Sequence, residues 1–306
     1  MSANITLMGA FNATYLTQFT TWLKKQAVEG HATFLTQESE AVSVVRMTLA
    51  HPIGDDRLES FRNALLMRSD DTQIDHIYQS STLDIRQACV AVFDMDSTLI
   101  KAEVMDELAI EMGIGEQVAA VTASAMRGEI DFVESFVQRL FLLEGLSCDV
   151  MDGVYQRIVH MEGIGPLMKV LHHFGWRTAI LSGGFSFFAD RVRAEYQMHE
   201  AHANVLEIVD GKLTGKHMGP IVDAQRKADL LDTLVEETAC GWSQTIACGD
   251  GANDLLMLKK ATLGVALHAK PLVRKQAPCP INTLGLDGIL YLLGLSSDDI
   301  RAILEK

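Results

Sequence analysis

Four short apolar runs constrain this chain more than any other feature. They are "CVAVFD" (89–94), "RTAILSGG" (177–184), "SQTIACGDG" (243–251) and "LGVAL" (263–267). Each ends in a polar or glycine-bearing loop, and a helical pattern follows. Runs of that length, bounded in that way, are buried strands of a parallel sheet with helices on its faces. Between the first two runs, residues 101–165 read as entirely helical, with Phe132, Phe136, Leu140 and Leu143 on one stripe. This is the pattern of a helical cap inserted after the first strand. "DGKLTG" (210–215) reads as a tight hairpin turn between short strands.

Residues 1–80 follow a different grammar. "NITLMGA" reads as a strand, and Leu16, Phe19, Leu23 and Ala27 fall at helical spacing. Val45, Met47 and Leu49 alternate with polar neighbours, Leu58, Phe61 and Leu65 mark a second helix, and "IDHIYQ" closes the unit. The order β-α-β-β-α-β is that of ferredoxin-like domains. The expected division is an α+β unit over 1–80 and an α/β unit over 81–306. Within the latter, the core spans 89–100 and 166–294 and the cap spans 101–165. A chain of 306 residues is long enough for about two domains.

Net charge narrows the partners. At −14, without a basic tail, the chain is a poor match for nucleic acid or an anionic membrane surface. An anionic substrate would need positive charge concentrated locally. No apolar run reaches the roughly 18 residues of a membrane span, and "MSANITLMGA" does not resemble a secretion leader. The five cysteines are dispersed, with no C-x-x-C pair, which leads to an expectation of reduced thiols in a cytoplasmic protein.

Open α/β sheets bind ligands at the carboxyl ends of their strands, and four stretches lie there. "DMDST" sets Asp94 and Asp96 two residues apart, side by side where a strand ends. Like charges that close repel and raise one another's pKa, so a cation is expected nearby. "LSGGF" (181–185) offers Ser182 and two glycines before a helix, where backbone N–H groups can approach an anion. Lys227 stands near the start of an amphipathic helix. "GDGAND" (249–254) adds Asp250, Asn253 and Asp254. Carboxylate oxygens suit Mg²⁺, which commonly combines one or two carboxylates with substrate phosphate. The inferred chemistry is phosphoryl transfer: one aspartate attacks phosphorus, and the other protonates the leaving oxygen and then activates water.

"DMDST", "LSGGF", a lysine and "GDGAND", in that order, resemble the haloacid dehalogenase superfamily. Residues 89–294 are similar to its phosphoserine phosphatases, which implies hydrolysis of O-phospho-L-serine as the last step of serine biosynthesis. By that resemblance Asp94 is the nucleophile and Asp96 the general acid/base. Mg²⁺ is held by Asp94, the backbone carbonyl of Asp96 and Asp250, while Asp254 supports metal-bound water. Ser182, Gly183 and Lys227 bind phosphate, with Asn253 a neighbouring polar contact. Glu103 takes the substrate ammonium, Arg139 its carboxylate, and Met126 and Phe132 cover it. The chain departs from the family's Ser-Leu-Arg-x-Arg at Val137, which stands where the first arginine is usual. The N-terminal unit resembles ACT-type domains in element order alone, a resemblance that allows amino-acid sensing or a homodimer.

Other readings carry less. "GKLTGKH" (211–217) has glycine spacing too short for a P-loop. His199 and His202, three apart, lack cysteine or carboxylate partners of clear spacing. The competing functions are transfer of phosphate from Asp94 to another alcohol, and an amino-acid-binding regulator with a vestigial core.

Overall fold

In the computed structural model, which describes residues 3–37 and 40–306, the chain forms two sheets. Residues 1–2 and 38–39 of the expected N-terminal unit lie outside the described residues. That unit contains β1 (Asn4–Gly9), α1 (Ala13–Lys25), β2 (Gly30–Phe34), β3 (Ser43–Leu49), α2 (Asp55–Thr72) and β4 (Asp75–Gln79). Its antiparallel sheet has the order β2-β3-β1-β4. Asn12 starts α1 by accepting the Tyr15 N–H at 3.1 Å. Phe19 and Leu23 of α1 and Phe61 and Leu65 of α2 pack on Ile5, Leu7, Val45 and Met47. Met8, Val44 and Ile77 join the larger core instead, so β1 and β4 are buried on both faces while the edge strand β2 stays exposed. Asp75 fastens the junction, accepting N–H bonds from Asn282 and Thr283 at 2.8 and 2.9 Å and the Thr283 hydroxyl at 2.8 Å.

The second sheet begins with β5 (Val90–Phe93), and the helical insertion follows: α3 (Val104–Glu111), α4 (Gly115–Met126), α5 (Phe132–Leu142) and α6 (Cys148–Arg157). Then come α7 (Ile164–His173), β6 (Arg177–Phe185), α8 (Ser186–Glu195), β7 (Glu200–Val209), β8 (Lys212–Met218) and α9 (Ala224–Thr238). The chain closes with β9 (Thr245–Gly249), α10 (Leu255–Lys260), β10 (Leu263–Leu267), α11 (Pro271–Gln276), β11 (Cys279–Ile281), α12 (Gly288–Leu292) and α13 (Ser297–Leu304). Strand order is β11-β10-β9-β5-β6-β7-β8, parallel except for β8. β5 is central and fully buried. All four of its residues are apolar, and the first polar side chain after them emerges mid-sheet at Asp94. The β7–β8 turn rests on Asp210 and Gly211, both with positive φ, as a two-residue hairpin requires.

Two expectations need correction. The strand carrying "LSGGF" runs through Phe185, so Gly183 and Gly184 are strand residues and the helix starts only at Ser186. Nor are all five cysteines reduced. Cys89 and Cys240 form a disulfide across 151 residues, with Cα atoms 5.5 Å apart, while Cys148, Cys248 and Cys279 are free. Spacing along the chain did not disclose the pair because β5 and α9 become neighbours only in the folded sheet. Among the described residues no helix is long and apolar enough to cross a membrane.

Candidate active site

The turn after β5 is wound around one carbonyl. The N–H groups of Thr98, Leu99 and Ile100 all approach the Met95 oxygen, at 3.2, 2.8 and 3.1 Å, and Ser97 adopts a φ of +55°. This coil holds Asp94 and Asp96 at the sheet's carboxyl edge. The Asp94 carboxylate accepts the Met95 N–H at 2.7 Å and lies 2.9 Å from Lys227 Nζ.

Lys227 comes from the first turn of α9, whose start is fixed by Asp223 accepting the Arg226 N–H at 2.8 Å. Its side chain is fully buried, and Nζ also lies 2.6 Å from Asp254. A buried ammonium needs such partners. Burial lowers its pKa, but Asp254 and Asp94 more than offset that, and the net shift is upward. Asp254 in turn accepts the Gly251 N–H at 2.9 Å. Gly249 makes room for it: a Cβ there would stand 2.4 Å from the Asp254 carboxyl carbon.

The remaining carboxylates are under electrostatic pressure. Burial, then Asp254 and Glu103, push the Asp250 carboxyl up to about 7, although Thr98 Oγ1 donates to it at 3.2 Å. Asp94 is raised by burial and by Asp254, and Asp96 by burial, Glu103 and Asp94. Among the described residues the buried Oδ1 of Asp96 has no hydrogen-bond partner. Asp94, Asp250 and Asp254 each present an oxygen within 4.8 Å of the others. An all-oxygen donor set with a surplus of negative charge fits a hard divalent cation.

Above this cluster lies a cavity of about 470 Å³ between core and cap. From the core it is lined by Asp94, Asp96, Gly183, Asp250 and Asn253, and from the cap by Glu103, Met126, Phe132 and Arg139. Glu103 accepts the Ser97 hydroxyl at 2.8 Å. Arg139 is half-buried, and among the described residues its one side-chain hydrogen bond runs from Nε to the Ser135 carbonyl at 3.3 Å. Burial lowers its pKa, while Asp106, Glu103 and Asp96 act the other way. Phe132 closes on the core, with its ring tip 3.2 Å from where a Cβ on Gly183 would be. Met126 is 72% exposed at the rim.

Three of the expected site residues, Ser182, Lys227 and Asp254, lie beneath the floor and not in the lining. Ser182 is fully buried, and its Oγ accepts the Gly184 N–H at 2.9 Å. Sequence reasoning missed two charged lining residues. Asp106 stands three after Glu103 at the start of α3, a helical spacing that puts both on one face. Lys270 follows the carboxyl end of β10, where the strand-end rule applied to "LGVAL" would have found it. A larger cavity, about 530 Å³, lies between α2, β4 and α11, away from this chemistry. His199 and His202 stand apart from the acidic cluster. Thr178 donates its N–H to His199 at 3.1 Å, and His202 pairs with Glu200 at 3.0 Å.

Comparison with known proteins agrees with this geometry. Residues 91–259 match the family model described as haloacid dehalogenase-like hydrolase. Phosphoserine phosphatase of Haemophilus influenzae is 44% identical over 223 residues, 73% of this chain and 71% of that protein. The crystal structure of a haloacid dehalogenase family hydrolase from Salmonella enterica serovar Typhi superposes with a TM-score of 0.84 at 30% identity. That match covers 96% of this chain and 99% of the other. A substrate-bound phosphoserine phosphatase complex is similar over 67% of this chain and 97% of its own, with a TM-score of 0.63 at 34% identity.

Proposed function

This chain belongs to the haloacid dehalogenase-like hydrolase family, and from that premise we propose that it hydrolyses O-phospho-L-serine to L-serine and phosphate. The observation that carries the substrate is the pairing, across one cavity, of Asp94 and Asp96 on the core with Glu103 and Arg139 on the cap. A guanidinium with unused donors suits a carboxylate, and a carboxylate suits an ammonium. The 44% identity to a phosphoserine phosphatase supports the same reading.

Asp94 attacks phosphorus, giving a phospho-aspartyl group as the bond from phosphorus to the serine oxygen breaks. Asp96 protonates that oxygen, and its raised pKa suits a group that must carry a proton at this moment. Asp96 then takes a proton from water, which attacks phosphorus and frees Asp94 and phosphate. Lys227 holds Asp94 in place through its 2.9 Å contact. The residues that would hold Mg²⁺ are Asp94, the Asp96 carbonyl and Asp250. When bound, Mg²⁺ offsets the charge of these carboxylates and of the phosphate oxygens. Asp254 orients Lys227 and would support water bound to Mg²⁺. Gly183 forms the floor against which phosphate rests, with Ser182 supporting it from beneath and Asn253 beside it. Met126 and Phe132 close the cap side and exclude bulk water.

The N-terminal sheet order supports an ACT-type reading of residues 1–80, with a homodimer as the assembly such a unit would favour. The test of substrate choice is Arg139→Ala. KM for O-phosphoserine should rise about tenfold or more, while turnover of p-nitrophenyl phosphate changes little. An unchanged phosphoserine KM would remove Arg139 from recognition.

A further inference from the structure

The side chains that line the cavity carry more negative than positive charge. Five carboxylates line it (Asp94, Asp96, Glu103, Asp106 and Asp250), and only two cations do, Arg139 and Lys270. Lys227 is buried beneath the floor between Asp94 and Asp254. Beside the divalent cation that the acidic cluster would hold, Lys270 is, among the described residues, the one cationic side chain lining the core side.

Lys270 combines a firm backbone with a free side chain. The turn from β10 is set by His268, with φ +46° and its N–H bonded to the Ile281 carbonyl at 2.8 Å. Ala269 is buried, and Pro271 opens α11 with the φ that helix starts require. Lys270 itself is exposed and extended (φ −61°, ψ 153°), with no ion pair among the described residues. It lies on the same side of β5 as the Asp250–Asn253 loop, because β9 and β10 are the next two strands of the sheet. Arg139 comes from the cap, so the two cations address the cavity from opposite walls.

Resting on the proposed phosphatase reading, we propose that Lys270 is a phosphate-binding residue: its ammonium reaches the non-bridging phosphate oxygens of the bound ester, while Arg139 serves the carboxylate. The division of labour makes the two separable. Lys270→Met keeps the apolar stem and removes the charge. It should raise KM for O-phosphoserine and for p-nitrophenyl phosphate alike, by about tenfold, the equivalent of one charge-assisted hydrogen bond. Inhibition by inorganic phosphate should weaken by the same factor. Lys270→Arg should restore most of both effects, and the salt dependence of KM should flatten in the methionine variant. Unchanged KM and phosphate inhibition in a folded Lys270→Met protein would overturn the proposal. So would a loss confined to O-phosphoserine, which would assign Lys270 to the carboxylate. Phosphate inhibition measured with p-nitrophenyl phosphate does not depend on serine being the alcohol, so a wrong substrate assignment would leave this test standing.

Discussion

Asp94 and Asp96 are crowded by Glu103, Asp250 and Asp254, and one buried ammonium answers two of these five carboxylates directly. The rest of the charge is left for a cation and for the chemistry; burial first, and then this crowding, hold Asp94, Asp96 and Asp250 above the ordinary carboxylate range. Gly184 belongs to the same arrangement, since a Cβ there would lie 2.7 Å from Asp96 Oδ2. Gly184→Ala should therefore push the acid/base aside, cutting kcat by roughly 10²-fold. Its unfolding midpoint should stay close to wild type, because the displaced atom ends a movable side chain. Equal losses of activity and stability would contradict this. At this scale the placement of the paired aspartates and "GDGAND" at strand ends was legible from the apolar runs they follow, and that of Lys227 from its position at the start of α9. That Ser182, Lys227 and Asp254 lie beneath the cavity was not legible, because depth depends on how three separate loops stack.

Elements were legible where an apolar period runs long enough, as in β5, the α5 stripe and the β7–β8 turn. The three-residue β11 and the path of β6 through two glycines carry no such period. The Cys89–Cys240 bond depends on β5 and α9 becoming neighbours, which spacing does not encode. Thiol titration of the denatured chain should give three groups before reduction and five after it. Five at the outset would restore the expectation of reduced cysteines. In the N-terminal unit, His76 lies on β4 between the Tyr15 hydroxyl at 2.8 Å and the Ser69 hydroxyl at 3.2 Å. Burial, with Arg68 adding to it, lowers its pKa from 6.5 to about 3. The unfolded chain then binds a proton below pH 6.5 that the folded one refuses, so this contribution to stability falls as pH drops toward 3. Between pH 6.5 and about 4.5 the loss should be roughly 2 kcal/mol. Denaturant unfolding of wild type beside His76→Gln checks this, and parallel curves would contradict it.

For the whole molecule, the seven-stranded sheet presents the acidic cluster at one edge, and the helical insertion closes over it as the second wall of a single cavity. The N-terminal sheet packs its other face on the core and is pinned through Asp75 to the residues just after β11. The order of segments leads to an expectation of a core, a cap and an appended α+β unit, but the burial of β1 and β4 in that unit's sheet required the folded chain. The central claim is that one cavity joins metal-assisted phosphoryl chemistry to an amino-acid clamp. Its most direct test is phosphate release from O-phospho-L-serine, compared with phosphothreonine and p-nitrophenyl phosphate, with Mg²⁺ and with EDTA, using Asp94→Asn as control. The account predicts a strong preference for O-phosphoserine, abolished by EDTA, restored by added Mg²⁺ and absent in the variant. Release that survives EDTA or Asp94→Asn, or that shows no preference for phosphoserine, would contradict it.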